Sequence, residues 1–311
     1  MTHSAADISK GLWLGLLGIV IFSVTLPATR LATGTPDAPQ MSGVFIALGR
    51  ATVAAGLSAV FLLATRAPLP QRRDWAPLAI TAGGVVFGFP LFSSIAMRYV
   101  EAVHASVIVG ALPLATAAAG ALLHRQRPSA GFWWCAALGT ALVVLFALLR
   151  SGSAAAGLSI NFADALLLLA MLCAAVGYAY GGRLSQHMQA EHVICWALLI
   201  SLPLTLPLAL VTWPTAPLKA GAWWGFAYVA VFSMWLGFFA WYRGLALGGT
   251  VRVSQVQLVQ PFLSMLFAVP LLGERLDGVT VGFGLAVIAT VFIGKKMPVN
   301  AASMAKLPSE A

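Results

Sequence analysis

The sequence predicts an all-α integral membrane protein with ten transmembrane helices, and three observations predict it. Hydrophobic residues make up 60% of the 311 positions and charged residues only 9%, against about a quarter charged in an ordinary soluble domain. Apolar runs of about 20 residues, the length that crosses ~30 Å of hydrocarbon, follow one another along the chain. Lys and Arg fall between these runs, singly or in pairs. A soluble fold would have to hide every run in one core, and cores stop growing near about 250–300 residues.

The expected spans are residues 11–32, 42–65, 75–97, 102–123, 131–150, 162–182, 192–212, 222–242, 251–272 and 279–296. The first follows Lys10 and is too long for the h-region of a signal peptide, so a retained helix is expected. Turn formers separate the spans: Gly34-Thr35-Pro36-Asp37, Pro68-Leu69-Pro70, Pro128, the Ser/Gly/Ala stretch 151–159, Pro214 and Pro217. Nine of the ten tryptophans lie near span ends, as interfacial belts favour; Trp235 alone falls clearly in mid-span. With the N-terminus inside, twelve basic residues face the cytoplasm and five (Arg30, Arg98, Arg150, Lys219 and Arg275) face out, leaving Arg50 within the second span. Cytoplasmic loops carry the Lys and Arg excess, so both termini are expected inside. The loops are too short to hold another domain.

The net charge of +9 does not indicate nucleic acid, which needs basic residues gathered on one face with exposed aromatics. Anionic headgroups of the lipid bilayer account for it. Cys135, Cys173 and Cys195 lie in apolar stretches without metal-ligand spacing. No cofactor, metal site or catalytic group is expected: the spans contain no HExxH motif, carboxylate pair or Gly-x-Ser-x-Gly elbow. The oligomeric state stays open, a monomer included.

A fixed offset of 148 aligns spans three to five with eight to ten. Ser106 meets Ser254, Pro113 meets Pro261, Thr116 meets Ser264 and Arg127 meets Arg275. The chain thus divides into repeats at 1–150 and 151–297, followed by a cytoplasmic tail at 298–311. Five spans per repeat would turn the second copy upside down, and inverted repeats in transporters set a site at mid-membrane between them. Ser254, Gln257, Pro261 and Ser264 share one helix face, and Ser106, Val109, Pro113 and Thr116 share the matching one. Such faces serve either as interhelical glue or as the seam of a central cavity.

These features, with Leu272-Gly273-Glu274-Arg275-Leu276 after the ninth span and Leu48-Gly49-Arg50-Ala51 in the second, resemble the EamA branch of the drug/metabolite transporter superfamily. The first half departs from the pattern, with Leu123-His124-Arg125-Gln126-Arg127 at the corresponding turn, so the Gly-Glu-Arg turn is expected to be structural. The chain looks most similar to bacterial aromatic amino acid exporters. That resemblance implies an inner-membrane carrier that exports aromatic and other neutral amino acids from the cytoplasm by alternating access. Another metabolite or a lipophilic cation is the alternative cargo, and a channel or a membrane enzyme is the remote one.

Arg50 is the expected partner for a substrate carboxylate, since a charge within a span points to function; snorkelling to the interface is its structural alternative. Phe87 aligns with Trp235, and Tyr178, Tyr180 and Tyr242 join them as an aromatic wall; Ser106, Ser254 and Gln257 supply polar contacts. Pro27, Pro90, Pro113 and Pro261 are expected to kink or gate their helices. The cavity should be lined mainly by spans 1, 3, 4, 6, 8 and 9. Every acidic residue is expected in a loop, tail or helix end, and His104 at a watery interface. Proton coupling is left open, with facilitated movement as the working mechanism.

Overall fold

The computed structural model describes residues 5–123, 127–150, 162–248, 253–296 and 299–300. Its helical segments are α1 (Ala6–Thr33), α2 (Gly43–Ala64), α3 (Arg72–Ala96), α4 (Ala102–Gly120), α6 (Phe162–Leu184), α7 (Ala190–Val211) and α8 (Ala220–Gly248). These seven are long and apolar enough to cross a membrane. Three more are α5 (Ala130–Arg150), α9 (Gln260–Leu272) and α10 (Gly278–Lys296), with shorter apolar stretches at Trp133–Leu142, Gln260–Leu272 and Gly278–Thr290. One feature was not expected of an all-α chain: a two-residue antiparallel ladder pairs Arg127–Pro128 with Val299–Asn300.

Local chemistry sets the helix ends. The Ser42 hydroxyl accepts the Phe45 amide at 3.1 Å and caps α2. Asp277 does the same for α10 through Thr280 N at 2.7 Å. Gly273 ends α9 in the left-handed conformation that glycine adopts without a Cβ penalty.

The departures from regular helix follow the repeat. α3 is π-helical over Ala82–Gly88 and α8 over Val229–Leu236, and the 148-residue offset lays one segment on the other. α4 breaks at Gly110–Ala111, just before Pro113. Three-ten turns over Ser254–Val259 lead into α9 just before Pro261. Proline removes the bond to the residue four earlier, so each proline-bearing helix loosens at the equivalent place. α1 has a break of its own at Val24, three residues ahead of Pro27.

The packing exchanges partners between halves. The first helix of each half lies along the third helix of the other: α1 on α8, and α6 on α3. α2 pairs with α7, and α5 with α10. Small residues permit the closest approaches, as in membrane helix pairs generally. A Cβ on Gly11 of α1 would stand 2.5 Å from the Gly248 amide of α8. Large apolar side chains such as Leu63, Leu172, Leu210 and Leu285 stay exposed, the surface that lipid covers.

Contacts sort the helix termini into two ends. At the Glu274 end, the end of α1 meets the end of α3 and the start of α4 meets the α9–α10 turn. At the Asp74 end, the start of α3 meets the loop that follows α6.

Candidate functional site

The expected seam exists. The α4 face of Ser106, Val109 and Pro113 meets Gln257, Pro261 and Ser264, with Leu26 of α1 between them, around a cavity of about 10 Å³. A second lobe of about 20 Å³ adjoins it, sharing Leu26, Val109, Leu112 and Gln260. Its walls are Phe22 and Thr25 of α1, Arg50 of α2, Val85 and Phe89 of α3, Ala174 and Tyr178 of α6, and Ser233, Met234 and Phe238 of α8. Each lobe holds about one water. The chamber is therefore shut, and anything larger than water enters only when helices move.

Arg50 sets the electrostatics of the chamber. Its side chain is 2% exposed, and its Nε and Nη1 are buried without a hydrogen-bond partner among the described residues. A buried charge left unpaired is costly and calls for a counter-ion. Gln257 is also buried, and neither atom of its side-chain amide is paired. Thr25 and Ser233 satisfy each other through a hydroxyl–hydroxyl bond of 2.8 Å. The chamber thus offers an unused guanidinium and an unused amide beside aromatic faces.

The two exits are closed by different chemistry. Towards the Asp74 end, Phe22 meets Phe238 at 5.0 Å and Trp241 at 6.5 Å, and Phe238 meets Tyr242 at 5.3 Å, which makes an aromatic plug. Towards the Glu274 end the closure is polar. Both Glu274 oxygens accept amides at the head of α4, from Ala102 and Val103, at 2.8 Å each. Arg30 Nη1 donates to the Met97 carbonyl at 2.6 Å, and Lys219 N donates to Gln40 Oε1 at 2.9 Å. Burial pushes the Glu274 carboxyl above its ordinary value, against the pull of the two amides and of Arg30. Above this lattice lies a vestibule of about 660 Å³, lined by Arg30, Gln40, Glu101, Lys219, Glu274 and Arg275 among others. It shares no lining residue with the chamber.

Of the residues singled out in the sequence, Arg50, Ser106, Tyr178, Gln257, Pro113 and Pro261 line the chamber. The Ser254 side chain lies outside the described residues. Phe87, Tyr180, Trp235, Tyr242, Pro27 and Pro90 fall outside the lining. Trp235 packs on Phe61 and Phe239, and the fully buried Tyr242 belongs to the plug. The lining residues that sequence reasoning missed include Phe22, Thr25, Phe89, Ser233, Phe238 and Gln260. The six expected spans all contribute, and α2 joins them through Arg50. One further expectation is corrected. His104 does not face water: it is 7% exposed and bonds Asp164 at 2.7 Å; Asp164 lies in the first turn of α6, at a helix end as expected, and is 1% exposed.

Comparison with known proteins agrees with this architecture. The sequence model of the EamA-like transporter family matches twice, at residues 9–148 and 161–294. The chain is 41% identical over 287 residues to the uncharacterized transporter YdeK of Bacillus subtilis (strain 168), covering 91% of this chain and 96% of that protein. A protein crystal structure 19% identical in sequence superposes with a TM-score of 0.62 over 92% of this chain and 96% of that one, a likeness of fold. With two matched repeats and a relative along nearly its whole length, this multi-pass membrane protein belongs to the EamA-like transporter family.

Proposed function

We propose that the chain exports amino acids, aromatic and other neutral ones, across a bacterial inner membrane by alternating access. In this reading ten spans form two inverted repeats, both termini are cytoplasmic, the Glu274 end faces out and the Asp74 end faces in. The observation that carries it is the buried guanidinium of Arg50, unpaired and aimed into a chamber walled by Phe22, Phe89, Tyr178 and Phe238. A zwitterion fits these groups: its carboxylate to Arg50, its ammonium to the Gln257 carbonyl oxygen, and its side chain to the rings. A lone guanidinium is a poor match for a phosphorylated cargo and repels a lipophilic cation. Other carboxylate-bearing metabolites are compatible with the same groups.

The test is efflux of labelled phenylalanine from liposomes holding the purified chain, with unlabelled phenylalanine and threonine as competitors. Efflux blocked by phenylalanine is expected. Arg50→Gln should lower it by about 10- to 100-fold, the equivalent of one or two charge-assisted hydrogen bonds. The same change should leave thermal stability equal or higher, because an unpaired buried charge is gone. Efflux no faster than from empty liposomes would sink the amino acid assignment.

A further inference from the structure

The His104–Asp164 pair takes no part in the chamber, and nothing in the carrier reading uses it. Its two side chains are 9% and 1% exposed, and Nε2 stands 2.7 Å from Oδ1. It joins α4 of the first half to α6 of the second, and both helices also line the chamber. Phe146 of α5 packs tilted against the imidazole at 4.9 Å, with Phe283 of α10 tilted against Phe146 at 5.4 Å. The charged group against the imidazole is Asp164 from α6; at the head of α4, Arg30 from α1 interacts with Glu101 and with Glu274 from the α9–α10 turn. Glu274 holds the amide of Val103, the residue preceding His104.

We propose that His104 and Asp164 form a proton-binding site that couples the transport cycle to pH. Histidine changes charge between about pH 5 and 8, and one proton converts this pair from a net carboxylate charge to a neutral ion pair. A dry, packed shell discriminates between those two states, whereas water in an opened Glu274 end does not. By linkage the closed end and the bound proton favour each other. Acid outside then shuts the Glu274 end after cargo has left, and release of the proton inside resets it: an exchange of proton for substrate. This inference rests on the carrier reading for its purpose, but its test needs no substrate.

The test is hydrogen–deuterium exchange of the Ala102 and Val103 amides in the full chain in lipid nanodiscs, corrected for intrinsic pH dependence. In the wild type, protection should rise by about tenfold from pH 8 to pH 6, within the usual span of coupling between sites. His104→Gln and Asp164→Asn should flatten that rise, and His187→Gln, at the other end, should keep it. A wild-type protection indifferent to pH, or the same slope in both variants, overturns the proposal. So does protection that falls on acidification, because the bound proton would then favour the open end. Should phenylalanine not be carried, the exchange result is unaffected; should exchange be flat, the carrier reading stands.

Discussion

At the Glu274 end the halves are held by a carboxylate on two backbone amides, a buried His–Asp pair and the Lys219 amide on the Gln40 side chain. At the Asp74 end the chamber is stopped by packed rings, and the polar ties beyond them are more open. His187 bonds Asp74 at 2.9 Å with 40% of its side chain exposed, and Arg243 reaches Glu191 at 2.7 Å with 56% exposed. The pseudo-symmetry makes the contrast sharper. In the loop that follows the first helix of each half, Gln40 reaches the head of α8 and His187 the head of α3, so a half-exposed imidazole stands where the other end uses a neutral amide. Two ends built from one repeat have diverged into a polar clasp and an aromatic plug. A clasp responds to protons and opens by exchanging its bonds for water, whereas a plug opens only by exposing apolar surface.

Breaking the plug should give the largest effect. Trp241→Ala removes a ring that is 1% exposed and should lower stability by about 3–5 kcal/mol, read as a drop in melting temperature together with faster leak through the Asp74 end. Next is the clasp. Glu274→Ala leaves two amides at the head of α4 without acceptors and should cost about 2–3 kcal/mol, with exchange protection lost locally at Ala102 and Val103. Smallest is His187→Gln, where the imidazole is half-exposed although Asp74 is buried and the pair contributes about 1 kcal/mol; a loss as large as that at Glu274 would mean that the two ends do not differ as described.

The pH response of the clasp has a definite sign. The folded carboxyl of Glu274 is raised above 4.5 by burial, so the folded chain holds that proton more tightly than the unfolded one. The resulting stability is complete below pH 4.5 and lost as pH rises through the elevated value. Chemical denaturation of wild type and Glu274→Gln across pH should therefore show the wild type losing ground above pH 4.5 and levelling off once the carboxyl is ionised.

The seam of α4 and α9 was legible because serine, glutamine and proline stand out at helical spacing in an apolar background, and because the same face occurs twice. The phase of α1 and α8 was not. Both are apolar on all sides, so neither hydrophobic periodicity nor burial distinguishes the face that meets lipid from the face that meets protein. The π-helical segments add a second obstacle. Each shifts the side chains that follow it out of the ordinary helical phase, and Phe87 and Trp235 missed the chamber together while Val85, Phe89, Ser233 and Met234 line it. Their equivalence under the repeat was read correctly; their direction was not. His104 and Asp164 are 60 residues apart, and no local pattern connects them.

By itself the sequence determined a membrane chain of apolar helices, two matched halves and a seam of small polar residues, since length, composition and repeat are properties of the chain alone. The tertiary structure decided which way each helix turns, that Arg50 is left unpaired in a closed chamber, and that one end is fastened by polar groups and the other by rings. Those depend on which distant segments share a site, and an apolar helix accepts many neighbours with nearly equal ease until packing selects one.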